Sequence, residues 1–238
     1  MTTDTPPEMP AQMAFDLPVR PARDRAAFFV SPANALAVAQ IDAWRDWPSR
    51  KLALIGPEGA GKTHLAHVWS GMSGAAIVDA AALAGLPLRD LVAGGAVAVA
   101  VEDAERAAGD NAAETALFHL HNLAQQEGAA LLLTARQPPR AWPLTLPDLA
   151  SRMQATATIH LDPPDDALLS AVLVKLFADR QLAVPPALIS YLVEHMERSF
   201  GAAAGIVAAI DREALATRRK PGLGLARDVL DKTGMQGR

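Results

Sequence analysis

The eight residues GPEGAGKT, 56–63, limit what this chain can fold into more than any other stretch. They fit the pattern G-x-x-x-x-G-K-[ST] at every fixed position. Such a loop works only where a strand delivers it and a helix leaves it. Both flanks comply: KLALI (51–55) is a short apolar run ending at glycine, and KTHLAHVWSGM (62–72) reads as a helix. Gly56, Gly59 and Gly61 let the backbone curl so that amide N–H groups point inward at phosphate oxygens, with Pro57, Glu58 and Ala60 completing the cradle. The helix N-terminus adds its positive end. Lys62 is placed to reach the β- and γ-phosphates, and Thr63 to offer its hydroxyl to Mg²⁺. The expected cofactor is ADP or ATP with Mg²⁺.

Strands and helices then alternate. AAIVDAAAL (75–83) holds a second short strand, Ala96–Val101 a third, AALLLTAR (129–136) a fourth and TATIHL (156–161) a fifth. NAAETALFHLHNLAQQEG (111–128) is a long amphipathic helix with Gly128 as its stop, and SPANALAVAQIDAW (31–44) is a helix with Ser31 as N-cap and Pro32 at its first position. This alternation means βαβ units and a parallel sheet covered on both faces. Glu102 and Asp103 close the third strand; either can hold the Mg²⁺ shell and orient water, with Asp103 and Thr63 the expected metal-side residues. After Asp162-Pro163-Pro164 only helices follow, at 165–180, 186–198, 205–219 and 224–230. The reading is an α/β fold: a P-loop αβα parallel-sheet module over 25–162, then a small all-α lid over 163–238, behind a disordered leader over 1–24.

Composition removes several function classes. A net charge of −4 argues against a chain that coats nucleic acid, and no sequence-specific DNA contact is expected. There is no cysteine, so disulfides, thiolate metal sites and a cysteine nucleophile are excluded. LVAGGAVAVAV (91–101) is too short to span a bilayer, and no signal peptide is evident, so a soluble cytoplasmic chain is expected with no membrane partner. His64, His67, His119 and His121 lack acidic companions at ligand spacing and read as packing or surface residues. Trp44, Trp47, Trp69 and Trp142 read as core or lid contacts.

The leader contains one anomaly. Within AQMAFDLPVRP (11–21), Gln12 is followed by Met13, Phe15 and Leu17. Short extended peptides bind by laying apolar anchors into preformed pockets while a polar residue fixes orientation.

Taken together, the phosphate loop, the strand ending in two acids, LLLTAR, DLASRMQATATIHLDPP and the helical lid resemble the AAA+ ATPases. More closely they resemble the initiator DnaA and its Hda-type regulatory inactivators, over about residues 12–231. The resemblance implies that Gly56–Thr63 is the Walker A loop and that Glu102 and Asp103 take the Walker B places. It puts Arg136 at or beside sensor 1, and makes Arg152 in LASRM an arginine finger acting catalytically in a neighbour's site. QMAFDL (12–17) resembles the hexapeptide that binds the bacterial sliding clamp, the beta subunit of DNA polymerase III. The implied partners are DnaA and the clamp, with a homo-oligomer possible. The implied role is to promote hydrolysis of DnaA-bound ATP and so prevent over-initiation. Glu102 stands where the family has Asp, and Gly201 where it carries a sensor-2 arginine, with Arg198 three residues away; both imply weak intrinsic ATPase activity. DnaA's carboxy-terminal DNA-binding domain is expected to have no counterpart. The alternatives are a recruitment scaffold without effect on hydrolysis, or an autonomous ATPase.

Overall fold

The computed structural model of the chain describes residues 29–92 and 97–233. The leader residues Gln12, Met13, Phe15 and Leu17 lie outside the described residues.

Five strands form one parallel sheet: β1 (Lys51–Ile55), β2 (Ala76–Asp79), β3 (Ala98–Glu102), β4 (Ala130–Ala135) and β5 (Thr158–His160), in the order β2-β3-β4-β1-β5. β1 lies between β4 and β5, pairing Lys51 with Leu131 and Ile55 with both Ala135 and His160. All five of its residues are buried. Alternation of side chains sends Ala53, Ile55, Val99, Val101, Leu131 and Leu133 to one face and Leu52, Leu54, Ala98, Ala100, Ala130 and Leu132 to the other. The first face is covered by α3 (Leu88–Val92), α4 (Asn111–Gln126) and α5 (Pro147–Gln154). The second is covered by α1 (Ala35–Asp42) and α2 (Lys62–Ser73), where Trp47 stacks on Trp69 at 5.2 Å and Trp44 meets it edge-on at 6.1 Å. Burial on both faces is why these strands are uniformly apolar.

Beyond the sheet, α6 (Asp166–Asp179), α7 (Pro186–His195), α8 (Phe200–Thr217) and α9 (Leu223–Thr233) enclose their own core, with Leu173, Phe177, Leu192, Ile206, Ile210 and Val229 inside. Among the described residues, no helix is long and apolar enough to cross a membrane.

Some boundaries differ from the sequence expectation. The first helix begins at Ala35, not Pro32, because Asn34 spends its side chain on a turn: its Oδ1 accepts the Ser31 N–H at 2.9 Å and its Nδ2 donates to the Phe29 carbonyl at 2.9 Å. α8 starts at Phe200, five residues before the expected 205, because the Ser199 hydroxyl caps it by accepting the Ala202 N–H at 3.0 Å. α5 was not expected as an element. Its eight residues bury only Leu149 and Met153, too little periodicity to stand out.

α5 is tied to α4 through Glu114, which is fully buried. Its carboxylate accepts the N–H groups of Gly109, Thr145 and Leu146 and the Thr145 hydroxyl. Burial alone would push this carboxyl up, but those bonds outweigh it and hold its pKa below the ordinary value. A lowered carboxylate pKa adds stability that is complete above the unfolded pKa and is lost as pH falls through the folded one. Glu114→Gln should therefore cost about 2–3 kcal/mol near neutral pH and flatten the acid limb of stability, measured by urea unfolding at several pH values.

Candidate nucleotide-binding site

The phosphate loop leaves β1 at its carboxyl end, where the chain order jumps between β1 and its neighbour β4. Such switch points are where open parallel sheets leave a crevice for ligands. The loop is anchored by the Gly56 N–H, which donates to the Ala135 carbonyl at 3.1 Å. Gly59 and Gly61 have φ of 75° and 98°, a region that L side chains avoid. Space is short as well. A Cβ on Gly61 would lie 2.8 Å from the Phe200 ring, and one on Gly59 would collide with Ser199. Gly61 sits at the N-terminus of α2, so the amides that follow face the loop's concavity.

Lys62 is buried, and its Nζ donates to the carbonyls of Gly56 and Pro57 at 2.8 and 2.9 Å. Burial lowers its pKa; Asp103, Glu105 and Glu58 oppose the shift, whereas Arg136 adds to it. These charges define the site's surroundings. Thr63 is exposed beside them.

Asp103 follows β3 with a left-handed φ of 48°, and its N–H donates to the Thr134 hydroxyl at 3.1 Å. Glu102, half-buried at the end of β3, has an Oε1 that is buried with no hydrogen-bond partner among the described residues. Three residues on, Glu105 accepts the Arg136 N–H at 2.7 Å through Oε1, while its Oε2 is also buried and unpartnered. The Arg136 side chain reaches across the loop to Glu58 at 2.8 Å, an exposed pair of small energetic weight.

The donors fit a nucleotide and Mg²⁺. Lys62, the curled amides and Thr63 would hold phosphate, and the carboxylates of Asp103, Glu102 and Glu105 would hold the metal's water shell. Among the described residues, no group of three or more His, Asp or Glu could hold a metal alone. Mg²⁺ keeps several waters and takes few protein ligands besides phosphate.

The lid touches the loop directly. The Phe200 N–H donates to the Gly59 carbonyl at 3.0 Å, so the first turn of α8 is hydrogen-bonded to the glycines that would face phosphate. Gly201 stands in that same turn, and Arg198 is paired with Asp166 at 2.6 Å.

Sequence reasoning did not find Glu105, Thr134, Ser199 or Phe200. The signal for Glu105 was its place in EDAE, one short turn beyond the strand end, and for Ser199 the serine preceding a long apolar-periodic run. Thr134 and Phe200 carried no signal, because their role is contact with a distant segment.

Arg152 is not brought to this loop. It lies on α5, half-buried, with its guanidinium 5.2 Å from the Phe118 ring, and its charge acts on Lys51 and His121. Lys51 opens β1 and the loop follows its other end, so roughly 13 Å of strand separates the two.

No protein-family model matches the chain. Among solved structures it is similar to domain III of the Thermotoga maritima replication initiation protein DnaA, with a TM-score of 0.74 and 18% identity over 91% of this chain and 98% of that one. It is also similar to AMPPCP-bound DnaA from Aquifex aeolicus, with a TM-score of 0.64 and 16% identity over 78% of this chain and 64% of that one. A Thermotoga maritima RuvB mutant gives a TM-score of 0.63 and 14% identity over 84% of this chain and 68% of that one. The chain has a DnaA-like AAA+ fold.

Lys62→Ala should weaken ADP binding by at least about 100-fold, read with a fluorescent analogue, because it removes the loop's one buried cation. Gly61→Ala should weaken it comparably through strain and the Phe200 contact.

Proposed function

We propose that this chain is a nucleotide-binding regulator of chromosome replication of the Hda type, which promotes hydrolysis of ATP held by DnaA. The observation that carries the reading is the separation of Arg152 from the chain's own phosphate loop. An arginine that is held beside an aromatic ring and left without a carboxylate partner among the described residues suits a role in a neighbour's site. There it would stabilise charge on the transferring phosphoryl group. The DnaA-like fold supports the pairing, since AAA+ modules of like shape can stack so that one serves the next. ADP or ATP with Mg²⁺ bound at Gly56–Thr63 would set the orientation of the lid through the Gly59–Phe200 bond. Docking on the sliding clamp through Gln12, Met13, Phe15 and Leu17 would bring the regulator to DNA.

In an assay of ATP hydrolysis by DnaA with DNA-loaded clamp, Arg152→Ala should lower stimulation by about 10³-fold while clamp binding persists. A Gln12→Ala/Leu17→Ala chain should lose clamp binding while retaining ADP. Stimulation that survives Arg152→Ala would leave a recruitment scaffold as the better reading.

A further inference from the structure

Between α6 and α7 lies a groove of about 520 Å³ lined by Val174 and Phe177 of α6, Leu182 and Val184 of the connection, and Pro186 and Ile189 of α7. Val174 is 55% exposed, a large apolar side chain given to water on a helix whose other face builds the core through Leu169 and Leu173. Leu182 and Val184 are only half-buried against that core. A concave apolar surface of this kind fits an apolar segment laid into it.

The chain's own leader is within reach. The described chain starts at Phe29, and the residues just after it lie against the head of α6. Asp165 caps that helix by accepting the Leu168 N–H at 2.8 Å. This bond, with smaller help from groups that include the Ala33 N–H, holds the Asp165 carboxyl below the ordinary range. Ser170 and Ala178, which border the groove on α6, lie roughly 7 and 20 Å along the helix axis from that point. The stretch from Leu17 to Phe29 can span up to about 40 Å, more than the path requires. The lengths also agree. In an extended backbone alternate residues share a side, so Met13, Phe15 and Leu17 would present an apolar row about 13 Å long, with Ala14 and Asp16 turned to water. The groove runs about 12 Å from Ser170 to Ala178.

Resting in part on the reading of the leader as a clamp-docking segment, we propose that this groove is the resting dock of the chain's own leader, which holds Met13, Phe15 and Leu17 between α6 and α7 until an external partner takes them. The same three side chains cannot fill two pockets at once. Capture therefore competes with docking on the clamp, and the apparent affinity for the clamp falls with the fraction of chains whose leader is free. The tether keeps the leader at high local concentration beside the groove, so a modest contact suffices.

The chain has no cysteine, so Ala11→Cys takes a single nitroxide label on the same side of the extended segment as Met13. Methyl NMR of the labelled full chain should show broadening concentrated at Val174, Leu182, Val184 and Ile189 and independent of protein concentration. Val174→Asp, at an exposed position, should abolish that broadening while ADP binding persists. The unlabelled Val174→Asp chain should bind purified clamp roughly tenfold more tightly than the parent, the effect of freeing a leader captured about nine-tenths of the time. Broadening that is absent, spread evenly over the surface or indifferent to Val174→Asp would overturn the proposal. Broadening of an isotope-labelled chain only by the nitroxide of a second molecule would overturn it in favour of exchange between copies. Groove broadening with clamp affinity unchanged by Val174→Asp means that capture and docking do not compete, and the proposal fails while clamp docking stands. Groove broadening with no clamp binding by either chain leaves the captured leader standing and removes the clamp from the reading of this protein.

Discussion

β1 is enclosed on both edges by parallel neighbours and on both faces by helices. Every peptide group along it must pair within the sheet, because no water can reach it. The strand is consequently a rigid beam, and the two chemically distinctive regions hang from its ends. At the carboxyl end the chain must turn sharply out of the sheet, and glycines in left-handed conformations perform that turn. At the amino end Lys51 is drawn into the interior by its register with Leu131. A buried ammonium needs an acceptor, which Gln125 on α4 supplies. α4 itself is held over the sheet by Leu117, Leu120 and Ala124, which lie buried in the core.

The phosphate loop is coupled to the lid at backbone level. A hydrogen bond from Phe200 to the Gly59 carbonyl leaves little freedom for one to shift without the other. Ser199 and Phe200 occupy the space a side chain at Gly59 or Gly61 would need, so the glycines serve two purposes: backbone conformation and close approach of the lid. Whatever fills the loop must therefore influence how α8 sits. Around Lys62, the acids Asp103, Glu105 and Glu58 face Arg136, a mixed field in which a highly charged ligand would find partners of both signs.

Much of this was legible in the residues because it depends on neighbours in the chain. KLALI followed by GPEGAGKT dictates strand, loop and helix locally, and the observed β1 and α2 begin where that reading puts them. Asp110 and Asp165 cap α4 and α6 through their own side chains, a signal within a few residues. The start of α1 misled, because Asn34 bonds to Phe29 and Ser31 and holds them in a turn that propensity alone would have given to the helix. Glu105 was overlooked beside the more conspicuous Glu102 and Asp103, although the short turn after β3 is what aims it at Arg136.

The sequence by itself determined the α/β architecture, the phosphate loop and its strand–helix setting, and the acidic end of β3, since each is fixed by periodicity or by conformational demands on consecutive residues. The tertiary structure alone decided that Thr134 would meet Asp103, that Phe200 would close on Gly59, and that Arg152 would stand beside Lys51 and His121 instead of Lys62. Those are contacts between segments far apart in the chain. They depend on strand order and helix docking, which the packing of the two sheet faces sets and no local pattern encodes.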